Sequence, residues 1–190
     1  MDIFKRLEER LCENSEEKRR NGIEKAQLEI IKHVARDVAK RNCKLGVRID
    51  TTLIDKMKKR SNWFFIDKKG VLQKWETDNK ELGDSKILDV ILPVNVRGHR
   101  YVIYFMLKGI QNRGGSQDNS LGEMYMTTEL IRKNKTEHAH FIFMLDGDFA
   151  KSKKGEFKKN KKYSVIDSSE LDEVLHDTIT NFIRDVEEMK

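Results

Sequence analysis

Residues 101–107 read YVIYFML, an unbroken apolar run that ends on Lys108. Seven residues are far too few to cross a bilayer, which takes about 20. A short run rich in aromatic and β-branched side chains reads instead as a strand buried on both faces, at the centre of a sheet. Such a strand needs neighbours on either side and a covering layer on each face. The rest of the chain has to supply them.

The neighbours are legible. Ile87 to Leu92, ILDVIL, predicts a strand that ends at Pro93, the only proline in the chain. The turn at 95–100, with Gly98, joins it to the apolar run as a hairpin. His140–Leu145 predicts another buried strand and Tyr163–Ile166 a short one. Trp63–Ile66, a turn at 67–70 and Val71–Trp75 read as a further strand, turn and strand. The covering layers are helical. Residues 2–12 form a short helix, and Asn14 with Glu17 has the spacing of a capping box for the next. Asn21 and Gly22 are expected to interrupt that helix. From Ile23, apolar residues at Ala26, Ile30, Ile31, Val34, Ala35 and Val38 make a helical stripe to about Arg41. Shorter helices are expected at Thr52–Lys59 and Leu121–Lys133, and Ser168 is expected to cap a last one running to about Glu188. Residues 76–85 and 109–120 read as polar loops. Residues 146–162 read as a lysine-dense loop or irregular helix. The expected fold is α/β: a central mixed β-sheet flanked by helices on both faces. It forms one domain over 1–190, with N-terminal helices at 1–60, a core at 62–167 and the C-terminal helix at 168–189.

The 37% apolar and 37% charged fractions are compatible with this because the apolar residues are clustered. The net charge of +6 suits a protein that meets phosphates, although lysine-rich codon usage alone gives the same excess. Cys12 and Cys43 form neither a disulfide framework nor a metal motif, so a reducing, cytoplasmic setting is expected. The opening MDIFKRLEERL lacks the apolar core of a signal peptide, and no membrane association is expected.

Asp89 interrupts an apolar strand, and Lys108, nineteen positions on, ends the next. Pairing the strands brings both residues towards the same end of the sheet. Charges in such places are costly unless partnered, so together they suggest a site; the plain alternative is two strands surfacing. A carboxylate beside a lysine suits phosphodiester hydrolysis. The carboxylate holds Mg²⁺, and the lysine orients or deprotonates the attacking water and steadies developing charge.

ILDVIL, YFMLKG, RGGSQDNSLGEM and FIFMLDGDF, in this order over residues 84–150, resemble the PD-(D/E)XK nuclease core. Within it they look like type II restriction endonucleases of the EcoRI and MunI kind. The resemblance implies a restriction-endonuclease-like fold, site-specific Mg²⁺-dependent cleavage of double-stranded DNA, and a homodimer. It places Asp89 and Lys108 in the catalytic site. Two positions depart from the pattern. Leu88 stands where the family has proline, and Met106 stands where it has its second acid, two before the lysine. Methionine is a poor ligand for Mg²⁺. Either the chain is a non-catalytic relative that binds DNA or a partner, or another acid serves. Glu123, near the start of the following helix, is the first candidate for metal and catalysis; Glu24 and Glu29 are the others.

The segment 111–119 offers a base-reading element. Arg113, Ser116, Gln117 and Asn119 bring hydrogen-bonding side chains, and Gly114 and Gly115 permit close approach to DNA. An ordinary polar turn has the same composition. The seven lysines of 151–162, Lys151, Lys153 and Lys154 first, suit phosphate contacts or simply a solvated face. The five histidines form no metal motif and read as structural. No phosphate-cradling loop, nucleophile elbow or aromatic stacking platform for RNA is visible.

Overall fold

The apolar run lies at the centre of the sheet, as its composition requires. The structure is a computed structural model that describes residues 3–11, 16–56, 64–66, 72–74, 86–110, 115–133 and 138–189. The elements in chain order are α1 (Ile3–Leu11), α2 (Glu16–Asn42), β1 (Val47–Ile49), α3 (Thr52–Lys56), β2 (Phe64–Ile66), β3 (Leu72–Lys74), β4 (Lys86–Leu88), β5 (Val90–Val96), β6 (His99–Gly109), α4 (Gly115–Lys133), β7 (Ala139–Asp146), α5 (Asp148–Lys153), β8 (Tyr163–Ile166) and α6 (Leu171–Glu188). Five strands form one sheet in the order β1-β5-β6-β7-β8. β1, β5 and β6 are antiparallel, whereas β6, β7 and β8 are parallel, so the sheet is mixed. β3-β2-β4 form a small antiparallel sheet.

The two faces of β6 feed two cores, as the two-residue period of a strand demands. Tyr101, Ile103, Phe105 and Leu107 pack with the stripe of α2 and with Leu175, Ile179 and Phe182 of α6. Tyr104 and Met106 pack on the opposite side with Leu121, Met124 and Ile131 of α4 and with Ile66 and Leu88 of the small sheet. Each large apolar side chain buried in this way contributes about 1.5–3 kcal/mol. The β5–β6 hairpin closes on Arg97 and Gly98, both at positive φ (51° and 93°), the backbone that a two-residue turn needs.

Several expectations are corrected. The strand expected at Ile87–Leu92 is split by a bend at Asp89: β4 pairs with β2, and β5 pairs with β6. Pro93 does not end β5, which continues to Val96. The Pro93 carbonyl accepts the Asp50 N–H at 2.9 Å, so the missing proline N–H lies on the β1 side, where that ladder is giving out. Asn21 and Gly22 do not interrupt α2. A mid-helix glycine costs about 1 kcal/mol, which the buried face of a 27-residue helix outweighs. α4 begins at Gly115, so the second half of the expected loop is helical. The expectation of a lysine-dense loop or irregular helix at 146–162 holds, with α5 and a 3-10 turn at Lys154–Glu156. Asp167, not Ser168, caps the C-terminal helical segment. It accepts the Ser169 N–H while Glu170 accepts the Asp167 N–H, a full capping box. β1 is an element the sequence reading missed. The Asn14 cap, the turn at 67–70, the loop at 76–85 and the end of the Thr52–Lys59 helix lie outside the described residues.

Candidate functional site

The C-terminal end of β6 is where the charged residues gather. Val90 pairs with Phe105 as the last registered pair of the β5–β6 ladder. One step beyond it the chain bends, and the exposed Asp89 turns its carboxylate onto β6, where Oδ2 accepts the Leu107 N–H at 2.7 Å. Asp89 is thereby fixed within one residue of Lys108 along the strand. The bend has a local cause. The Asp89 N–H still bonds the Phe105 carbonyl at 2.9 Å, but the side chain takes up the next donor that a regular ladder would use.

Lys108 lies two residues beyond Met106 and so shares the α4 face of β6. Its side chain is 18% exposed, and Nζ stands 3.9 Å from Oε2 of Glu123, which is 44% exposed. α4 is held in place for this contact. Tyr125 stacks on Phe157 with ring centroids 4.2 Å apart and donates its hydroxyl to Glu156 at 2.9 Å. Burial, with the Glu156 bond and charge, pushes the Tyr125 phenol up to about 12. At the C-terminal end of α4, Lys162 Nζ reaches the Ile131 and Arg132 carbonyls at 3.5 and 3.2 Å.

Of the alternative acids, Glu29 is paired with Arg6 of α1 at 3.1 Å. Glu24 lies on α2 next to Ile23, and Ile23 touches Gly109, the residue after Lys108. Met106 is 3% exposed and belongs to the α4-side core, so the position where the resemblance expects a second acid is apolar packing. Arg113 and Gly114 lie outside the described residues. Gly115, Ser116, Gln117 and Asn119 form the opening of α4. In the lysine run, Lys153 pairs with Glu156 at 2.5 Å, and Lys154 pairs with Asp167 at 3.0 Å and with Glu170. Burial alone would lower the Lys154 pKa, but Glu170 and Asp167 outweigh it and raise it. Lys153 and Lys154 are therefore held by the fold, while Lys151, Lys158, Lys159 and Lys161 are exposed. Among the described residues no three His, Cys, Asp or Glu side chains cluster as a metal site.

A second polar cluster was missed by sequence reasoning. Asp146, at the end of β7 and in register with Gly109, is 1% exposed. Its Oδ2 accepts from Gln27 Nε2 at 2.7 Å and from Ser168 Oγ at 2.6 Å, and Oδ1 accepts the Ser168 N–H at 3.0 Å. Gln27, fully buried on α2, also directs Nε2 at the Lys108 carbonyl, 3.4 Å away. Its Oε1 finds no donor among the described residues, a cost of about 1–3 kcal/mol for a buried acceptor. The signal was available: Gln27 stands four residues after Ile23 and three before Ile30, on the apolar stripe itself.

Compared with known protein families, curated proteins and solved structures, the chain matches none.

Proposed function

We propose that this chain is a Mg²⁺-dependent, site-specific DNA endonuclease with a restriction-endonuclease-like fold, acting as a homodimer on a short palindrome. The reading rests on two contacts at one strand end, one at the residue before Lys108 and one at the Lys108 ammonium. Asp89 is fixed to the Leu107 N–H and Glu123 stands against the Lys108 ammonium. Two carboxylates suit Mg²⁺, which takes one or two protein carboxylates and fills its remaining positions with water and substrate phosphate. Asp89 and Glu123 would hold the ion, which supplies charge neutralisation and a more acidic water. Lys108, set between strand and helix, would orient the attacking water and offset the charge developing on the phosphorus oxygens. The partly buried setting of Lys108 strengthens that interaction over its value in bulk water. The exposed lysines of 151–162 would contact phosphates without reading sequence. Two-fold symmetry in the protein would match two-fold symmetry in the site.

A second reading, a non-catalytic DNA-binding or partner subunit of the same fold, is favoured by the burial of Met106 in the core. One experiment separates the two. Supercoiled and phage DNA are incubated with Mg²⁺ and the wild type, Asp89→Ala or Lys108→Ala. Discrete fragments from the wild type that both variants fail to produce support the endonuclease. Salt-sensitive DNA binding without cleavage in Mg²⁺ or Mn²⁺ supports the second reading.

A further inference from the structure

We infer that Gln27 is a positioning residue for Lys108, acting with Asp146 and Ser168; the inference rests on the endonuclease reading. Lys108 is the penultimate residue of β6. The end of a strand is the part most prone to fray, so a lysine placed there needs its backbone fixed from outside the ladder. The α2 contact does this directly, and contacts from β7 and from the start of the C-terminal helical segment support it. From α2, Gln27 Nε2 reaches the Lys108 carbonyl and is itself held by Asp146 Oδ2. From β7, Asp146 lies beside Gly109, and its carbonyl accepts the Ile110 N–H at 2.7 Å. From the start of the C-terminal helical segment, Ser168 gives Asp146 both its N–H and its hydroxyl. Ile23, one turn before Gln27, rests on Gly109 so closely that a side chain there would overlap it. The backbone at 108–110 is thus held by α2 and β7 together, while the Lys108 ammonium faces Glu123.

The composition of the grip argues for placement over stability. An apolar residue at 27 would continue the α2 stripe and leave no buried amide oxygen without a donor. The buried carboxylate at 146 is likewise held, among the described residues, by hydrogen bonds and no ion pair. Gln27 touches no reacting group. It acts through the Lys108 backbone, and an error of about 1 Å in a catalytic group costs on the order of 100-fold in rate.

The test uses the full chain with Gln27→Met, which keeps the volume and removes the amide, and Asp146→Asn as a second variant. Ile30→Val, one turn along the same helix face, serves as a packing control. Two quantities are read: the single-turnover cleavage rate at saturating DNA with Mg²⁺ alongside DNA affinity in Ca²⁺, and hydrogen exchange of the Lys108–Ile110 amides relative to the middle of β5. The expected result is a cleavage rate lower by about 10- to 100-fold at unchanged affinity, with faster exchange confined to 108–110. Ile30→Val should do neither. Wild-type cleavage by Gln27→Met overturns the inference, as does a rate that falls only in step with affinity and global stability. Unchanged exchange at 108–110 overturns it too, whatever the activity. If the wild type itself does not cut, the endonuclease reading and the catalytic role fall together, and the exchange measurement shows separately whether the grip exists.

Discussion

Replacing Gly109 with alanine tests the close approach of α2 to the end of β6. A Cβ on Gly109 would lie 2.3 Å from Cγ2, 2.8 Å from Cδ1 and 3.0 Å from Cβ of Ile23. Carbon atoms pack best at about 3.5–4.0 Å, so the overlap exceeds about 1 Å. Ile23 is 1% exposed and branched at Cβ, which leaves it little freedom to turn aside. Overpacking of this kind costs about 1–3 kcal/mol. In a chain of this size each kcal/mol lowers Tm by about 2–4 °C. Ile23→Ala alone should cost about 2–5 kcal/mol through the cavity it leaves. In the double variant the alanine methyl at 109 enters that space, so its cost should fall short of the sum by at least about 1 kcal/mol. Urea unfolding of the four proteins, comparing midpoint and slope, measures the coupling. Additivity within about 0.5 kcal/mol, or a Gly109→Ala midpoint equal to wild type, would refute the packing of α2 onto the end of β6.

Two further outcomes follow from groups away from this corner. Burial holds the His140 imidazole down to about 4, against an opposing backbone bond at Lys161, whereas the unfolded chain takes the proton near about 6.5. The unfolded state therefore binds more protons between these values. Stability should be complete above about pH 6.5 and fall by up to about 3 kcal/mol as pH drops towards 4, and His140→Gln should flatten that part of a urea-midpoint profile; an unaltered profile would sink the assignment. The Tyr101 hydroxyl is buried with no partner among the described residues, while its ring stacks on Phe182 at 4.2 Å. Tyr101→Phe should leave stability unchanged or raise it by about 1 kcal/mol, and a loss of more than about 1 kcal/mol would show that the hydroxyl is bonded in solution.

Period and composition made the frame of this fold readable. The run at 101–107 could sit only at a sheet centre, and the α2 stripe could only cover it. Misreadings came where a tertiary partner overrules a local rule. Pro93 looks like a stop, yet it is tolerated because β1 asks nothing of its missing N–H. Asn21 and Gly22 look like a break, yet packing of α2 outweighs their propensity. Ser168 looks like a cap, but its hydroxyl is given to Asp146, 22 residues away in sequence, and Asp167 takes the role. At the candidate site, Asp89 and Lys108 stood out as charges in apolar strands. Gln27 and Asp146 did not, because what distinguishes them is each other, 119 residues apart.

Pro93 also bears on how the sheet ends. Among the described residues, β5 is flanked on that side only by the three-residue β1. A strand with a free flank is a template on which another molecule's backbone can extend the ladder, the first step towards fibrils or tangled dimers. Just past Ile49 an incoming strand would look for a donor on β5 and meet the proline ring. It would also meet α3, which packs against β5 there. The residue that looks out of place in a sheet thus stands where a proline blunts an edge, withholding the donor that a further strand would need.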